Sequence, residues 1–520
     1  MKIQTTCPAK RSGIRKRGFR VHITLQSKMI LLALVFMTTL PCLAREYHIG
    51  EEPMDIMLPD MGDSSETVLS AADEQRLGEA FMREVRAKIS VVDKPEVSDY
   101  LNSLGYRLAS HSERRNSKRA APVASKTGFT FFVVKDPAIN AFAVPGGFIG
   151  INAGLILATD SESDLAAVLA HEIAHISQHH AARSIQLADA MHPLAMAGIL
   201  AAIIVGTQSG QAGQAAMTAV AAGSVQKQID FTRAHEEEAD RLGIGTLFAA
   251  GFDPRAMPNF FERMQTAHRY YSEPPEFLST HPVTVSRIAD SRNRAEQYPY
   301  RQHTDSLAYH LVRAHLTVMM EKDPRQSVKY FDDALRNGKY RNRMGARYGL
   351  VLASMAAGDW KRAKTEIMKL LETEPDQVAF RARLADIEFA TGHVHKAIRR
   401  YADALLLYPE SRLLTLGYAR ALLNADKPEK VVALLDRRES ALTGDSALQK
   451  LLAMAFSRTG KEVEAKAALA EHYYLDGQLN MAIRQLRMAL KLPNRDYYQN
   501  SRMEARLQQF EEEQSLRKDD

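Results

Sequence analysis

His171-Glu172-Ile173-Ala174-His175 decides the reading of this 520-residue chain. The pentapeptide continues an apolar helical run, Asp164-Leu165-Ala166-Ala167-Val168-Leu169-Ala170, and Ser161-Glu162-Ser163-Asp164 ahead of it supplies a helix-start signal. Two histidines four residues apart project from one helical face, so both imidazoles can hold one Zn²⁺. Glu172, beside the first, can polarise a water on that ion. This is the chemistry of a zinc peptidase, and it requires a third protein ligand.

A metzincin would place Gly seven and His ten residues beyond the first ligand, where this chain has Gln178 and Ala181. A carboxylate from another helix is then the expected third ligand. The candidate segment is Phe231-Thr232-Arg233-Ala234-His235-Glu236-Glu237-Glu238-Ala239-Asp240-Arg241-Leu242-Gly243. Standing alone, an acidic helical run is a solvated face. Paired with the upstream motif, Glu236 becomes the ligand, and Asp240, one turn on, accepts the free N–H of a ligand histidine. Glu237 and Glu238 point elsewhere. His179, His180 and His235 are weaker candidates, with His179, one turn past His175, read as solvent-exposed or as support for the site.

The residues resemble the HtpX-like peptidases related to the CAAX prenyl endopeptidase. The resemblance extends to Ile139-Asn140-Ala141-Phe142-Ala143 with Gly146-Gly147, to Arg233 through Gly243, and to Thr280-His281-Pro282 with Arg287-Ile288. It implies an α+β gluzincin peptidase domain, mostly helical with a small sheet, holding one Zn²⁺ on His171, His175 and Glu236. Glu172 would be the general base and Asp240 a support in the outer shell. It also implies a periplasmic role in quality control of misassembled outer-membrane proteins. The partners it implies are the β-barrel assembly machinery and an outer-membrane lipopolysaccharide transport component.

Composition agrees with export. Residues 1–44 carry eight basic side chains and no acidic one, then an apolar core from Met29 to Leu40 and Pro41-Cys42-Leu43-Ala44. This reads as a signal peptide cleaved after Ala44. Pro41 and Leu40 before Cys42 disfavour a lipoprotein signal. Removing these residues takes the formal net charge from +6 to −2 and removes both cysteines, Cys7 and Cys42. No nucleic-acid footprint remains, and a cysteine peptidase is excluded.

Residues 45–69 read as an extended arm, 70–300 as the peptidase domain and 301–510 as a repeat domain. A helix is expected from Ser70 to Arg86 and another from Val97 to His111, then a solvated loop from Ser112 to Lys126. Phe129–Val134 and Gly147–Ile151 read as strands. The segment from Ala141 to Ile151 is expected to offer an edge for an extended peptide, the plain alternative being a hairpin turning at Pro145-Gly146-Gly147. The small-residue run 194–223 falls short of a membrane span. Two buried helices are its ordinary reading, and peripheral contact with a membrane its sharper one.

Beyond residue 300, Gly358, Ala363, Leu370 and Pro375 recur as Gly392, Ala397, Ala404 and Pro409, 34 residues on at every position. That is the tetratricopeptide period. Asp426/Val431 and Gly460/Ala465 keep the register, while Gly477, Ala482 and Leu486 arrive after half a period. About four repeats over 306–495 are expected, with a degenerate unit around Ala334, forming an all-α solenoid with a concave docking surface.

His281, before Pro282, is expected either to stabilise the oxyanion of the reacting carbonyl or to plug the open coordination site, the plain alternative being a structural histidine with Arg287 and Asp290 nearby in sequence. Glu172, Asp240 and His281 then form the catalytic set. Two functions follow: a zinc endopeptidase, or a chaperone-like assembly factor whose peptidase site is normally latent.

Overall fold

Strand alternation builds a small sheet that is covered on both faces. In this computed structural model the described residues are 71–112, 128–187, 225–270, 275–438, 444–493 and 496–516. The expected leader and arm (1–69), the loop segment 113–127 and the run 194–223 lie outside them. Two helices, α1 (Ala71–Lys88) and α2 (Pro95–Ala109), precede strands β1 (Thr130–Val134), β2 (Ala141–Val144) and β3 (Phe148–Asn152). Phe132, Phe142, Val144 and Phe148 face Phe81, Met82 and Val85 of α1. Phe131, Val133, Ile149 and Ile151 face the main core with Val97, Leu101 and Leu108 of α2. Successive side chains point to opposite sides, so each strand feeds both layers.

The strand order is β1-β3-β2, with β1 parallel and β2 antiparallel to β3. This divides the expected substrate edge. Phe148–Asn152 is the central strand, its backbone used on both sides, and only Ala141–Val144 lies at an edge. The segment is a hairpin turning at Pro145-Gly146-Gly147, and an edge strand as well.

Helices α3 (Ala153–Ala158), α4 (Glu162–Ser177), α5 (His180–Leu187), α6 (Val225–Ala249), α7 (Ala256–Tyr270), α8 (Glu276–Thr280) and α9 (Val285–Glu296) complete this portion. The start of α4 is a capping box: the Ser161 side chain accepts from the Asp164 N–H, and Asp164 accepts from the Ser161 N–H. Two orphan donors are thereby satisfied at the head of the histidine-bearing helix. Helix α4 carries almost no exposed surface, and Leu165 through Ala170 lie in the main core.

The repeats follow as α10 (Leu307–Met320) with α11 (Pro324–Asn337), α12 (Arg343–Ala356) with α13 (Trp360–Thr373) and α14 (Val378–Ala390) with α15 (Val394–Leu407). They continue as α16 (Arg412–Asn424) with α17 (Pro428–Asp436), α18 (Ser446–Arg458) with α19 (Glu462–Leu475), and α20 (Leu479–Ala489) before α21 (Tyr497–Leu516). The turn inside successive pairs falls at Gly358, Gly392, Asp426 and Gly460, with φ of 76°, 82°, 53° and 74°. The 34-residue period is thus a recurrence of one left-handed turn, which glycine adopts freely and aspartate tolerates. The degenerate unit around Ala334 is a full helix pair, α10 and α11. Its two helices start at side-chain caps, Ser306 and Asp323, and the second ends at Gly338, left-handed with φ of 66°.

The peptidase core continues into the solenoid, because Tyr309, Val312 and Leu316 of α10 pack within it. Glu162, the first residue of α4, is the polar hub of this junction. It accepts from Tyr100 Oη (3.0 Å), Ser306 Oγ (2.7 Å) and the Ser306 N–H (2.8 Å), and lies 3.2 Å from His303 Nε2. Arg313 donates to the carbonyls of Ile156, Leu157 and Thr159, capping the end of α3. Farther along, Glu96 of α2 meets Arg383, His315 and Tyr348. Arg83 of α1 pairs with Glu513 at 2.7 Å. Among the described residues no helix is long and apolar enough to cross a membrane.

Burial opposes ionisation of Glu162, yet its bonds from His303, Ser306 and Tyr100 hold its pKa below the ordinary 4.5. A depressed carboxylate stabilises the fold above its unfolded pKa, and that stabilisation disappears as pH falls through the folded value. Glu162→Gln is therefore expected to lower the melting temperature at pH 7. The difference from the unsubstituted chain should shrink as melts are taken below pH 4.5. A constant difference across that range would mean the carboxylate charge contributes nothing at the junction.

Candidate metal centre

Helices α4 and α6 approach closely where Gly243 faces the backbone of Ala170 and His171. A Cβ at Gly243 would stand 3.4 Å from the Ala170 carbonyl carbon and from the His171 nitrogen. This contact brings the acidic turn of α6 over the two histidines of α4. His171 Nε2 and His175 Nε2 are 3.0 Å apart. Glu236 Oε2 lies 3.4 Å from the first, and Oε1 lies 3.3 Å from the second. His281 enters from the segment between α8 and α9, its Nδ1 3.1 Å from Glu236 Oε1 and 3.3 Å from His171 Nε2. Among the described residues, His171, His175, Glu236 and His281 are the cluster with donor atoms close enough to share one ion.

The donor set fits zinc. Ligand atoms about 2.0–2.1 Å from a tetrahedral zinc would stand about 3.3 Å from one another. His171, His175 and Glu236 offer donor atoms 3.0–3.4 Å apart, close to that spacing, and with His281 the four donors lie within 4.8 Å of one another. Burial pushes the His175 pKa down to about 3, so its imidazole keeps a lone pair at neutral pH. For His171 burial is overcome by Asp240 and Glu236, which raise the pKa to about 10. Its Nδ1 lies 3.0 Å from Asp240 Oδ1, the carboxylate–histidine arrangement that raises ligand basicity.

Glu172 is 1% exposed, and among the described residues neither carboxylate oxygen has a hydrogen-bond donor. Burial raises its pKa above 4.5 despite the opposing pull of His281 and His171. His281 Nε2 stands 3.4 Å from Glu172 Oε1. A buried carboxylate with elevated proton affinity, beside a cation site, has the properties of a general base.

The model of peptidase family M48 matches residues 105–295. The beta-barrel assembly-enhancing protease of Escherichia coli (strain K12) is 36% identical over 453 residues, spanning 87% of this chain and 91% of that protein. The chain belongs to the beta-barrel assembly-enhancing protease family. The relative of that name from Yersinia pestis is 34% identical over 461 residues, 89% of this chain and 93% of that protein. A mitochondrial metalloendopeptidase of Schizosaccharomyces pombe is 35% identical over 156 residues, 30% of this chain and 43% of that protein. The protein is a zinc metalloendopeptidase whose M48 domain precedes a helical repeat domain.

Every residue singled out from sequence for the centre, His171, Glu172, His175, Glu236, Asp240 and His281, meets in one cluster, buried except for the partly exposed His175. Two contributions were not legible as function. Arg287, noted in sequence only beside the His-Pro segment, donates from Nε and Nη2 to Asp240 at 2.8 and 2.9 Å. Its Nη1 lies 2.9 Å from Glu236 Oε2, and it also donates to the Pro282 carbonyl at 2.7 Å. One side chain thus holds both carboxylates of α6 and the backbone next to His281. The second contribution is His180. It is His180, not His179, that reaches the site, at 2.8 Å from His175 Nδ1, while His179 pairs with Glu74 of α1 at 3.0 Å.

Removing one partner of a buried ion cluster leaves charge without compensation, at a cost of about 3–5 kcal/mol. Arg287→Ala is expected to lower stability by that order in denaturant unfolding and to weaken zinc retention. Arg287→Lys should recover only part of it, because an ammonium cannot span two carboxylates as a planar guanidinium does. Unfolding of Arg287→Ala within about 1 kcal/mol of the unsubstituted chain would remove this role.

Proposed function

We propose that this protein is a periplasmic zinc endopeptidase that cleaves misassembled or stalled outer-membrane β-barrel proteins, with its repeats docking to the machinery that assembles them. The observation that carries the chemistry is the buried Glu172 carboxylate, without a hydrogen-bond donor among the described residues, beside a convergent donor set. The biological setting is supported by relatives named for β-barrel assembly over about nine-tenths of their length, and by the basic, then apolar leader at 1–44. The concave solenoid is a surface suited to a protein partner.

His171, His175 and Glu236 would hold the zinc. Bound there, zinc supplies a Lewis acid that polarises the scissile carbonyl and acidifies water. Glu172 removes the proton from the attacking water and returns it to the leaving amine. Asp240 holds the His171 tautomer through Nδ1, and Arg287 holds Asp240 and Glu236. The substrate is an extended peptide added antiparallel to Ala141–Val144, since that strand packs beside α4 and has β3 on one side. Backbone pairing gives affinity with little sequence preference, which suits unfolded substrates.

A second reading is favoured by His281. Its Nδ1 stands among the ligand atoms, where substrate or water would need access. The resting enzyme is then latent, and the protein acts as an assembly factor until the segment carrying His281 moves.

With an unfolded outer-membrane barrel protein as substrate, Glu172→Gln should keep stoichiometric zinc while losing about 10²–10⁴-fold in cleavage. Zinc in both proteins with equal cleavage would sink the general-base assignment. His281→Ala should accelerate cleavage if that side chain plugs the site. A loss of turnover with zinc retained would instead make His281 a helper at the oxyanion.

A further inference from the structure

Behind His175, on the side away from the other ligands, a second set of polar groups is packed. His175 Nδ1 lies 2.8 Å from His180 Nδ1. The opposite nitrogen of that ring, His180 Nε2, lies 3.2 Å from Glu238 Oε2, and Arg183 Nη1 donates to the same oxygen at 2.9 Å. His235 stacks face to face on His180, with ring centroids 4.1 Å apart and planes 4° from parallel.

The backbone is bent to make this contact. On a continuous helix, residues five apart diverge by about 140° around the axis. Here α4 stops at Ser177, and His179 takes φ of 52°, a left-handed conformation unfavourable for a residue with a Cβ. Glu74 holds the His179 ring, and the chain re-enters a helix at His180. The turn folds His180 back onto His175. Local strain kept in place by a specific contact is a feature of functional sites.

We propose that His180 and Glu238 are positioning residues that fix the tautomer and ring orientation of His175, giving the second histidine of the motif a carboxylate-backed support parallel to the Asp240 support of the first. The proton arrangement follows from the geometry. With Nε2 facing the ion, His175 carries its proton on Nδ1 and donates to His180 Nδ1. His180 then carries its own proton on Nε2 and donates to Glu238. Arg183 and the stacked His235 keep Glu238 and the His180 ring in place. The inference rests on His175 being a zinc ligand through Nε2, and it adds residues outside the cluster that surrounds the ion.

The test is zinc affinity of the full chain by competition with a chromogenic chelator, together with the visible spectrum of the cobalt-substituted protein. His180→Ala removes the acceptor and should raise the zinc dissociation constant about 10–100-fold, with a changed cobalt spectrum. His180→Asn retains an acceptor at the position of Nδ1 but cannot reach Glu238. Together with Glu238→Gln it should give a smaller loss in the same direction. A purely structural role would give no such ordering and no spectral change. If His180→Ala does not fold, the other two variants decide. Dissociation constants within twofold of the unsubstituted chain, with unaltered spectra, would overturn the proposal. Failure of the unsubstituted chain to hold one zinc would instead overturn the ligand assignment on which it rests.

Discussion

Two carboxylates buried one helical turn apart are the constraint on which the centre depends. Glu236 and Asp240 are 3% and 2% exposed, and in so dry a place their mutual repulsion and lost hydration would be prohibitive without cations. Arg287, itself 3% exposed, bridges them with a planar fork, and a divalent ion held by His171, His175 and Glu236 would supply the remaining positive charge. The Arg287 guanidinium also lies over the Phe261 ring, 5.1 Å from its centroid. Metal binding and burial are therefore coupled: the site is acidic enough to hold zinc because the surrounding protein makes it nearly neutral.

That balance requires the two helices to be held in register, and the fold clamps α4 at both ends. At its N-terminus Glu162 gathers Tyr100, His303 and Ser306, the last being the cap of the first repeat helix. Past its C-terminus Glu74 of α1 holds His179, and the other end of α1 reaches Glu513 through Arg83. The solenoid thus touches the elements that position the histidines from two directions. A partner bound by the repeats would act on a structure continuous with the peptidase core.

The latent and active readings of the centre differ by one side chain. His281 follows the short helix α8, stacks on Phe277 and donates its N–H to the Phe277 carbonyl, while Arg287 of α9 holds the neighbouring Pro282 carbonyl. In the latent reading this imidazole would guard the ion, and in the active reading it would leave the site open, with His171, His175 and Glu236 in place on α4 and α6.

Much of this was legible in the sequence, because it is written in local periods. Four-residue spacing puts His171 and His175, and then Glu236 and Asp240, on single helical faces. A 34-residue recurrence marks the left-handed turns at Gly358, Gly392, Asp426 and Gly460. What only the tertiary structure decided has no local period. Arg287 meets Asp240 across 47 residues, and Glu238 meets His180 across 58. Phe148–Asn152 becomes a central strand only because β1 pairs with it from one side and β2 from the other. Helix periodicity states which side chains share a face but not what faces them. Pairing of buried charges and strands is settled by which surfaces the packed core brings together.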